Sequence, residues 1–118
     1  MVLPEISSYA FGKIMIGAQE FTSDLILFPN GKIKANWVRK QGHLLSLDDL
    51  DSLVLEKPDL VLAGTGAHGR MALDPLLTEK LTAMGIEITA LPTDKAIHCF
   101  NQSRMQTRRI YACFHLTC

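Results

Sequence analysis

The run Gly64-Thr65-Gly66-Ala67-His68-Gly69 matches the spacing G-x-G-x-x-G. Glycines so spaced let main-chain N–H groups approach a phosphate where a strand gives way to a loop. The downstream context does not complete a dinucleotide fingerprint. Residues 70–73 separate the run from Asp74-Pro75, the next helix start, and Asp74 sets a carboxylate at that helix end. There is also no second mononucleotide half to hold a whole dinucleotide. Two readings stay open: a structural glycine turn, or a site for a small anionic ligand. In the second, the amides of Gly64, Thr65, Gly66 and Gly69 with Arg39 or Arg70 hold the anion, and His68 supplies a proton-transfer group.

A second constellation, Trp37-Val38-Arg39 with Gly42-His43, puts an aromatic plane, a guanidinium fork and an imidazole within seven residues, counted from Trp37. Such groups suit polar-ligand recognition. They also suit a bland arrangement, with Trp37 in the core, Arg39 lying over it as a cation–π lid and His43 capping a chain end. Four histidines, His43, His68, His98 and His115, raise the question of a metal. No pair has zinc-like local spacing. Cys113 and His115 share a strand face, and Cys118 or Cys99 would complete a soft set, yet isolated cysteines are commonly small core residues. The expectation is therefore no metal and no cofactor, with His115 making one fixed hydrogen bond.

The remaining polar groups are less specific. Ser7, Ser8, Ser46, Ser52 and Ser103 lack a nucleophile-elbow context. Asp48, Asp49 and Asp51 fall on a helix start and its outer face, where dipole complementarity and solvation account for them. Arg104, Arg108 and Arg109 form a modest basic cluster without a stacking ladder of aromatics, which reads as solvated surface or protein contact rather than a nucleic-acid site.

Turn and periodicity signals outline the elements that position these residues. Short apolar runs at 14–16 and 25–28, ended by Pro29-Asn30-Gly31, read as antiparallel β, with 25–28 pairing with 32–36 across an Asn-Gly turn. Leu47, Leu50, Leu53 and Val54 then repeat with helical spacing behind Ser46, predicting a helix over 46–57 stopped by Pro58. Residues 60–63 and 86–90 read as buried strands around a helix that begins at Asp74-Pro75 and ends before Gly85. A third helix from Thr93, capped by Thr93 with Asp94, runs to about Met105, and Ile110, Ala112, Phe114 and Leu116 alternate as the last strand. This order predicts one α/β layered domain spanning residues 1–118, with a mostly parallel sheet and a hairpin addition.

The chain has 118 residues, of which 47% are hydrophobic and 20% charged, enough for one real core and too few for two catalytic domains. Twelve Lys plus Arg against twelve Asp plus Glu leave a formal charge of +0, so no global field favours nucleic acid or an anionic membrane. Residues 1–5 lack a basic-then-apolar leader pattern, and no apolar run approaches the roughly 18 residues of a spanning helix. Cys99, Cys113 and Cys118 are an odd number without CxxC spacing, as expected of reduced thiols. A cytoplasmic, soluble domain is expected.

Several segments resemble one family: Asn36-Trp37-Val38-Arg39, Gly42-His43, Lys57-Pro58-Asp59, Gly64-Thr65-Gly66, Pro92-Thr93 after the 86–91 stretch, Ala96, Asn101, and His115-Leu116-Thr117-Cys118. Together they resemble the Mth-domain family of unknown function, whose relatives include an adipogenesis-associated protein and a mitochondrial complex I assembly factor. The resemblance implies a three-layer α/β fold with a central mixed five-stranded sheet and an extra β layer, and a strand over 109–116 antiparallel to its neighbours. It brings no enzyme activity, cofactor or catalytic residues. Two roles follow as expectations. One is a non-catalytic binding or assembly module that engages a protein partner or a second copy through apolar and basic surface around the third helix, including Arg104 and Arg108. The other is an enzyme or sensor for a small anionic ligand at residues 64–69.

Overall fold

In the computed structural model, which describes residues 3–106 and 108–118, the first third of the chain folds as short antiparallel strands. Met1, Val2 and Thr107 lie outside the described residues, and with them the opening of the segment read above for a leader. Strands β1 (Ile6–Ala10), β2 (Lys13–Ile16) and β3 (Gln19–Phe21) make one antiparallel sheet. β4 (Leu25–Leu27) then pairs with β5 (Ile33–Lys34) across the expected turn. Within that turn only Gly31 takes positive φ (89°), while the Asn30 side chain accepts from Lys32 N at 3.0 Å. β5 is shorter than predicted because Asn36 enters the left-handed region, φ 56°, and turns the chain away from the ladder.

The rest alternates. β6 (Leu44–Leu45), a 3-10 turn (Leu47–Asp49) and α1 (Leu53–Glu56) lead to β7 (Leu60–Thr65), β8 (Ala72–Leu73) and α2 (Pro75–Ala83), followed by β9 (Glu87–Leu91), α3 (Thr93–Ser103) and β10 (Ile110–His115). The central sheet has the order β5-β4-β10-β7-β9. β10 is parallel to β7 and antiparallel to β4, and β7 is parallel to β9, so parallel and antiparallel pairings are equal in number rather than mostly parallel. The implied antiparallel setting of the last strand therefore holds on its β4 side only.

Alternation along β7 and β10 sends side chains to two buried faces. Leu60, Leu62, Ile110, Ala112 and Phe114 pack with Ala96, Ile97 and Phe100 of α3 and with Ile6, Ile14 and Ile16 of the small sheet. Asn101 ties these layers together, donating to Ile6 O at 2.8 Å and accepting from Ile6 N at 2.9 Å, as a neighbouring strand would. On the opposite face Val61, Ala63, Tyr111 and Cys113 pack with Trp37, Leu53, Leu77 and Leu81. Burial pushes the Cys113 thiol up to about 12 and raises the Tyr111 phenol above its ordinary range.

The continuous helix predicted over 46–57 does not form, and two core aromatics explain why. A helix would give Asp49 O to Leu53 N and Asp51 O to Leu55 N. Instead Trp37 Nε1 donates to Asp49 O at 2.8 Å and Tyr111 OH donates to Asp51 O at 2.7 Å. Leu53 N turns to Leu50 O, and Ser52 adopts φ 59° between the two short pieces. At α2 the reading from residues holds: Asp74 accepts from Leu76 N at 3.0 Å, Pro75 opens the helix, and Gly85 follows its end at φ 74°.

Candidate functional site

The parallel strands β7 and β10 end side by side, with Thr65 registered against His115. In open α/β sheets this edge, beyond the carboxyl ends of the strands, is where ligand crevices form. Asp24, just before β4, lies across from His115 because Phe114 pairs with Leu25. Its Oδ1 accepts from Leu116 N at 2.8 Å, which fixes the carboxylate against the end of β10. Its Oδ2 takes His115 Nδ1 at 2.7 Å and Arg39 Nη2 at 3.0 Å. A 2.7 Å contact with a carboxylate needs the proton on Nδ1, so Nδ1 donates and Nε2 is left as the other ring nitrogen. Arg39 Nη2 also lies 3.1 Å from Nδ1, because both groups aim at one oxygen.

Arg39 is 9% exposed, and its side chain is held from three directions. The guanidinium sits 4.6 Å from the Trp37 ring centroid, its Nε donates to Gly42 O at 3.1 Å, and Nη2 goes to Asp24. The cation–π lid anticipated from sequence is thus present, with a buried ion pair in addition. Two polar atoms here are buried without a hydrogen-bond partner among the described residues, Arg39 Nη1 and His115 Nε2. His43, on the exposed loop before β6, brings its ring within 6.0 Å of His115, centroid to centroid. The donor atoms of His43, His115 and Cys118 all lie within 4.8 Å of one another. Cys113, paired with His115 in the sequence reading, is instead fully buried among core side chains on the α2 face.

Beneath the cluster, Asp49 is turned inward. Burial alone would raise its carboxyl, but donors from Ser46 N, Lys40 N and Ser46 Oγ, with the Arg39 charge nearby, hold it below the ordinary carboxylate value. Asp49 does stand at a helix start, in a 3-10 turn whose Ser46 N it accepts from, but it is buried rather than on the outer face expected from the sequence.

The 64–69 run adjoins this corner, and its amides are largely committed. Gly64 and Thr65 belong to β7, Gly66 N donates to Thr93 Oγ1 at 2.9 Å, Ala67 N to Thr117 O at 3.3 Å and Gly69 N to Gly66 O at 3.1 Å. Thr93 does not cap its own helix as predicted; its hydroxyl donates to His115 O at 2.6 Å. Gly66 is required by a close approach, since a Cβ there would lie 2.5 Å from Thr117 O at φ 109°. The glycine spacing thus serves the crossing of residues 117 and 118 over the loop. His68 and Arg70 are exposed, and neither side chain makes a hydrogen bond or ion pair among the described residues. The sheet edge therefore brings Arg39, Thr65 and Gly66 together around His115 and leaves His68 and Arg70 at the surface. Asp24 escaped the sequence reading: its partners are 15 and 91 residues away, and no local signal marks it.

The candidate contact residues on the far side are largely occupied within the chain. Arg104 Nη1 donates to Leu3 O at 2.9 Å, and Arg108 pairs with Glu87 at 3.0 Å. Apolar exposure is greater elsewhere. An open groove of about 580 Å³ runs between residues 46–48 and α2, lined by Leu47, Leu76 and Leu77, and a smaller hollow that shares Leu47 and Asp48 with it is lined by Leu53, Val54 and Leu55. Leu55 is 82% exposed, Leu76 70% and Val54 55%. Among the described residues, no helix is long and apolar enough to cross a membrane.

The architecture defines an α/β domain in which a five-stranded mixed sheet carries helices on both faces and a small antiparallel sheet as an added layer. The chain belongs to the family described as "Protein of unknown function (DUF498/DUF598)", whose model matches residues 6–115. Solved structures agree. A conserved hypothetical protein from Pyrococcus horikoshii is 27% identical with a TM-score of 0.82, the match covering 97% of this chain and 99% of that one. A protein from Bordetella parapertussis is 25% identical with a TM-score of 0.79, covering 97% and 96%. A Mth938-like domain from Bordetella pertussis has the same fold at 20% identity and a TM-score of 0.69, covering 96% and 85%. The resemblance to the Mth-domain family is thereby confirmed.

Proposed function

We propose that this domain is a non-catalytic binding module of the cytoplasm that seats an apolar, basic-flanked segment of a second protein in the groove between residues 46–48 and α2. The observation that carries the reading is the exposure of Leu76 on the wall of this groove, with exposed Val54 and Leu55 lining a second hollow that shares Leu47 and Asp48 with it. Scattered apolar side chains on a surface need no explanation, whereas a contiguous set rimmed by polar groups marks a contact site. The rim has Asp48, Asp51, Asp74 and Glu79 against Lys80, so a partner with basic residues beside its apolar ones fits best. Lys40 and Lys34 pair with Asp48 and Asp51 at the exposed surface, where such pairs exchange readily for an incoming cation. Three free cysteines favour a reducing compartment.

The alternative, a small-anion site at residues 64–69, has less support. The amides of Gly66, Ala67 and Gly69 are taken by Thr93, Thr117 and Gly66, and Arg39 Nη1 is the nearby buried side-chain donor without a partner among the described residues.

A photo-crosslinking residue at position 76, with a control at exposed Lys13, tests the docking reading in the native host. One protein captured from position 76 and not from 13 is expected. Its purified form should bind the domain with an affinity that Leu76→Asp reduces at least about tenfold, corresponding to about 1.4 kcal/mol. Capture of a second copy of this chain, or an affinity that Leu76→Asp leaves unchanged, overturns it.

A further inference from the structure

We infer that His43, His115 and Cys118 form a binding site for a divalent transition metal of borderline softness, with Zn²⁺ the ion that suits the donors best. The site is distinct from the apolar groove and does not rest on it.

The central observation is the state of His115. It is 6% exposed, its Nδ1 proton is fixed on Asp24, and Nε2 finds no hydrogen-bond partner among the described residues. With Nδ1 turned to Asp24, Nε2 is the ring nitrogen left to ligate, at a place where no described residue meets it. A carboxylate on the far ring nitrogen is the usual partner of a metal-bound histidine, because it sets the tautomer, fixes the ring and raises the basicity of the ligating nitrogen. Leaving a buried ring nitrogen unmatched is costly, which favours an occupant at Nε2.

Two further donors converge on that nitrogen. The ligating atoms of His43, His115 and Cys118 lie within 4.8 Å of one another, with His43 exposed and Cys118 half-buried. Tetrahedral bonds of about 2.0–2.3 Å put donors roughly 3.3–3.8 Å apart, so closure needs movements of about 1 Å. The exposed His43 side chain has that freedom. Cys118 is carried on a segment pinned by Gly12 N and Tyr9 OH on Leu116 O and by Ala67 N on Thr117 O, so its thiol stays near the site. Two imidazoles and one thiolate match zinc, and three protein ligands leave a fourth position for water or an incoming group.

Arg39 is the obvious objection, since a guanidinium repels a cation. Asp24 accepts from it at 3.0 Å and offsets its charge, and the Cys118 thiolate formed on binding removes one of the two charges on the metal. Arg39 therefore holds the carboxylate that orients His115.

The test uses the full chain, reduced and stripped with a chelator, titrated with Co²⁺ as optical probe and with Zn²⁺ by calorimetry. One equivalent should bind, with thiolate-to-cobalt charge transfer and tetrahedral d–d bands, and Zn²⁺ should displace the cobalt and raise Tm. Cys118→Ser should abolish the charge-transfer band, and His43→Ala should weaken binding at least about tenfold. Both positions lie outside the core, so the variants are expected to keep the wild-type circular dichroism, and Cys99→Ser should bind as the wild type does. Absence of stoichiometric binding at micromolar protein, or binding that Cys118→Ser and His43→Ala leave unchanged, overturns the site.

Discussion

Asp24 accepts from His115 Nδ1 at 2.7 Å across 91 residues of sequence, and the same oxygen takes the Arg39 guanidinium at 3.0 Å. One carboxylate therefore compensates a buried cation, fixes a histidine tautomer and, through its other oxygen, anchors the strand end at Leu116 N. Its removal should be expensive. Asp24→Asn leaves Arg39 buried without its counter-charge, and breaking a buried pair from one side typically costs about 3–5 kcal/mol. Asp48→Asn, which breaks the exposed and solvent-screened pair with Lys40, should cost far less. Urea unfolding of both variants checks the contrast, and equal losses would refute it.

Thr93 is a junction between three elements, not a helix cap. Its hydroxyl accepts from Gly66 N and donates to His115 O. Thr93→Val keeps the shape and strands both groups, so it should destabilise by about 1–3 kcal/mol. Thr93→Ser retains the hydroxyl and should lose less, as measured by chemical denaturation.

Gly66 offers a steric test. A Cβ at φ 109° would meet Thr117 O at 2.5 Å, whereas one at Gly42 meets nothing within 4 Å. Gly66→Ala should lower stability by at least about 1–3 kcal/mol, and Gly42→Ala by little. Thermal melts of the two variants decide the matter.

Asp49 gives the pH dependence. Its folded carboxyl lies below the ordinary value, so it binds fewer protons than the unfolded chain at the same pH. The resulting stability is complete above the unfolded value of about 3.9 and is lost as pH falls through the lower folded one. Asp49→Asn should be less stable than wild type at pH 7, and the gap should narrow below about pH 4. A gap that stays constant down to pH 2 would contradict this assignment.

The thiols should separate by reactivity. Cys113 is fully buried with its thiol raised to about 12, while Cys99 and Cys118 are half-buried. Alkylation under native conditions should label Cys99 and Cys118, leaving Cys113 unmodified until urea unfolds the chain. Peptide mapping by mass spectrometry reads the outcome.

Much of the framework is legible in local chemistry because the signals are local. Pro29-Asn30-Gly31, Asp74-Pro75 and Gly85 mark turns and helix ends where they stand, and short apolar runs mark β7 and β9. The spacing over 46–57 is helical, but the carbonyls of Asp49 and Asp51 belong to Trp37 and Tyr111, which no window of that length contains. The same limit applies to the polar corner. Arg39 and Gly66 could be singled out by type, yet Asp24 and the convergence of His43 with Cys118 depend on which strand lies beside which. Of the two readings the glycine spacing left open, the structural one has a visible basis at Gly66, where residues 117 and 118 pass over the loop.

β10, assembled from residues 110–115, lies between β4 and β7, so neither earlier strand has its full set of neighbours until that segment arrives. During synthesis β4 and β7 therefore each keep an open edge until residues 110–115 have left the ribosome. Open edges of that kind are where strands mispair, so the order of synthesis and the order of the sheet are set against each other in this connectivity.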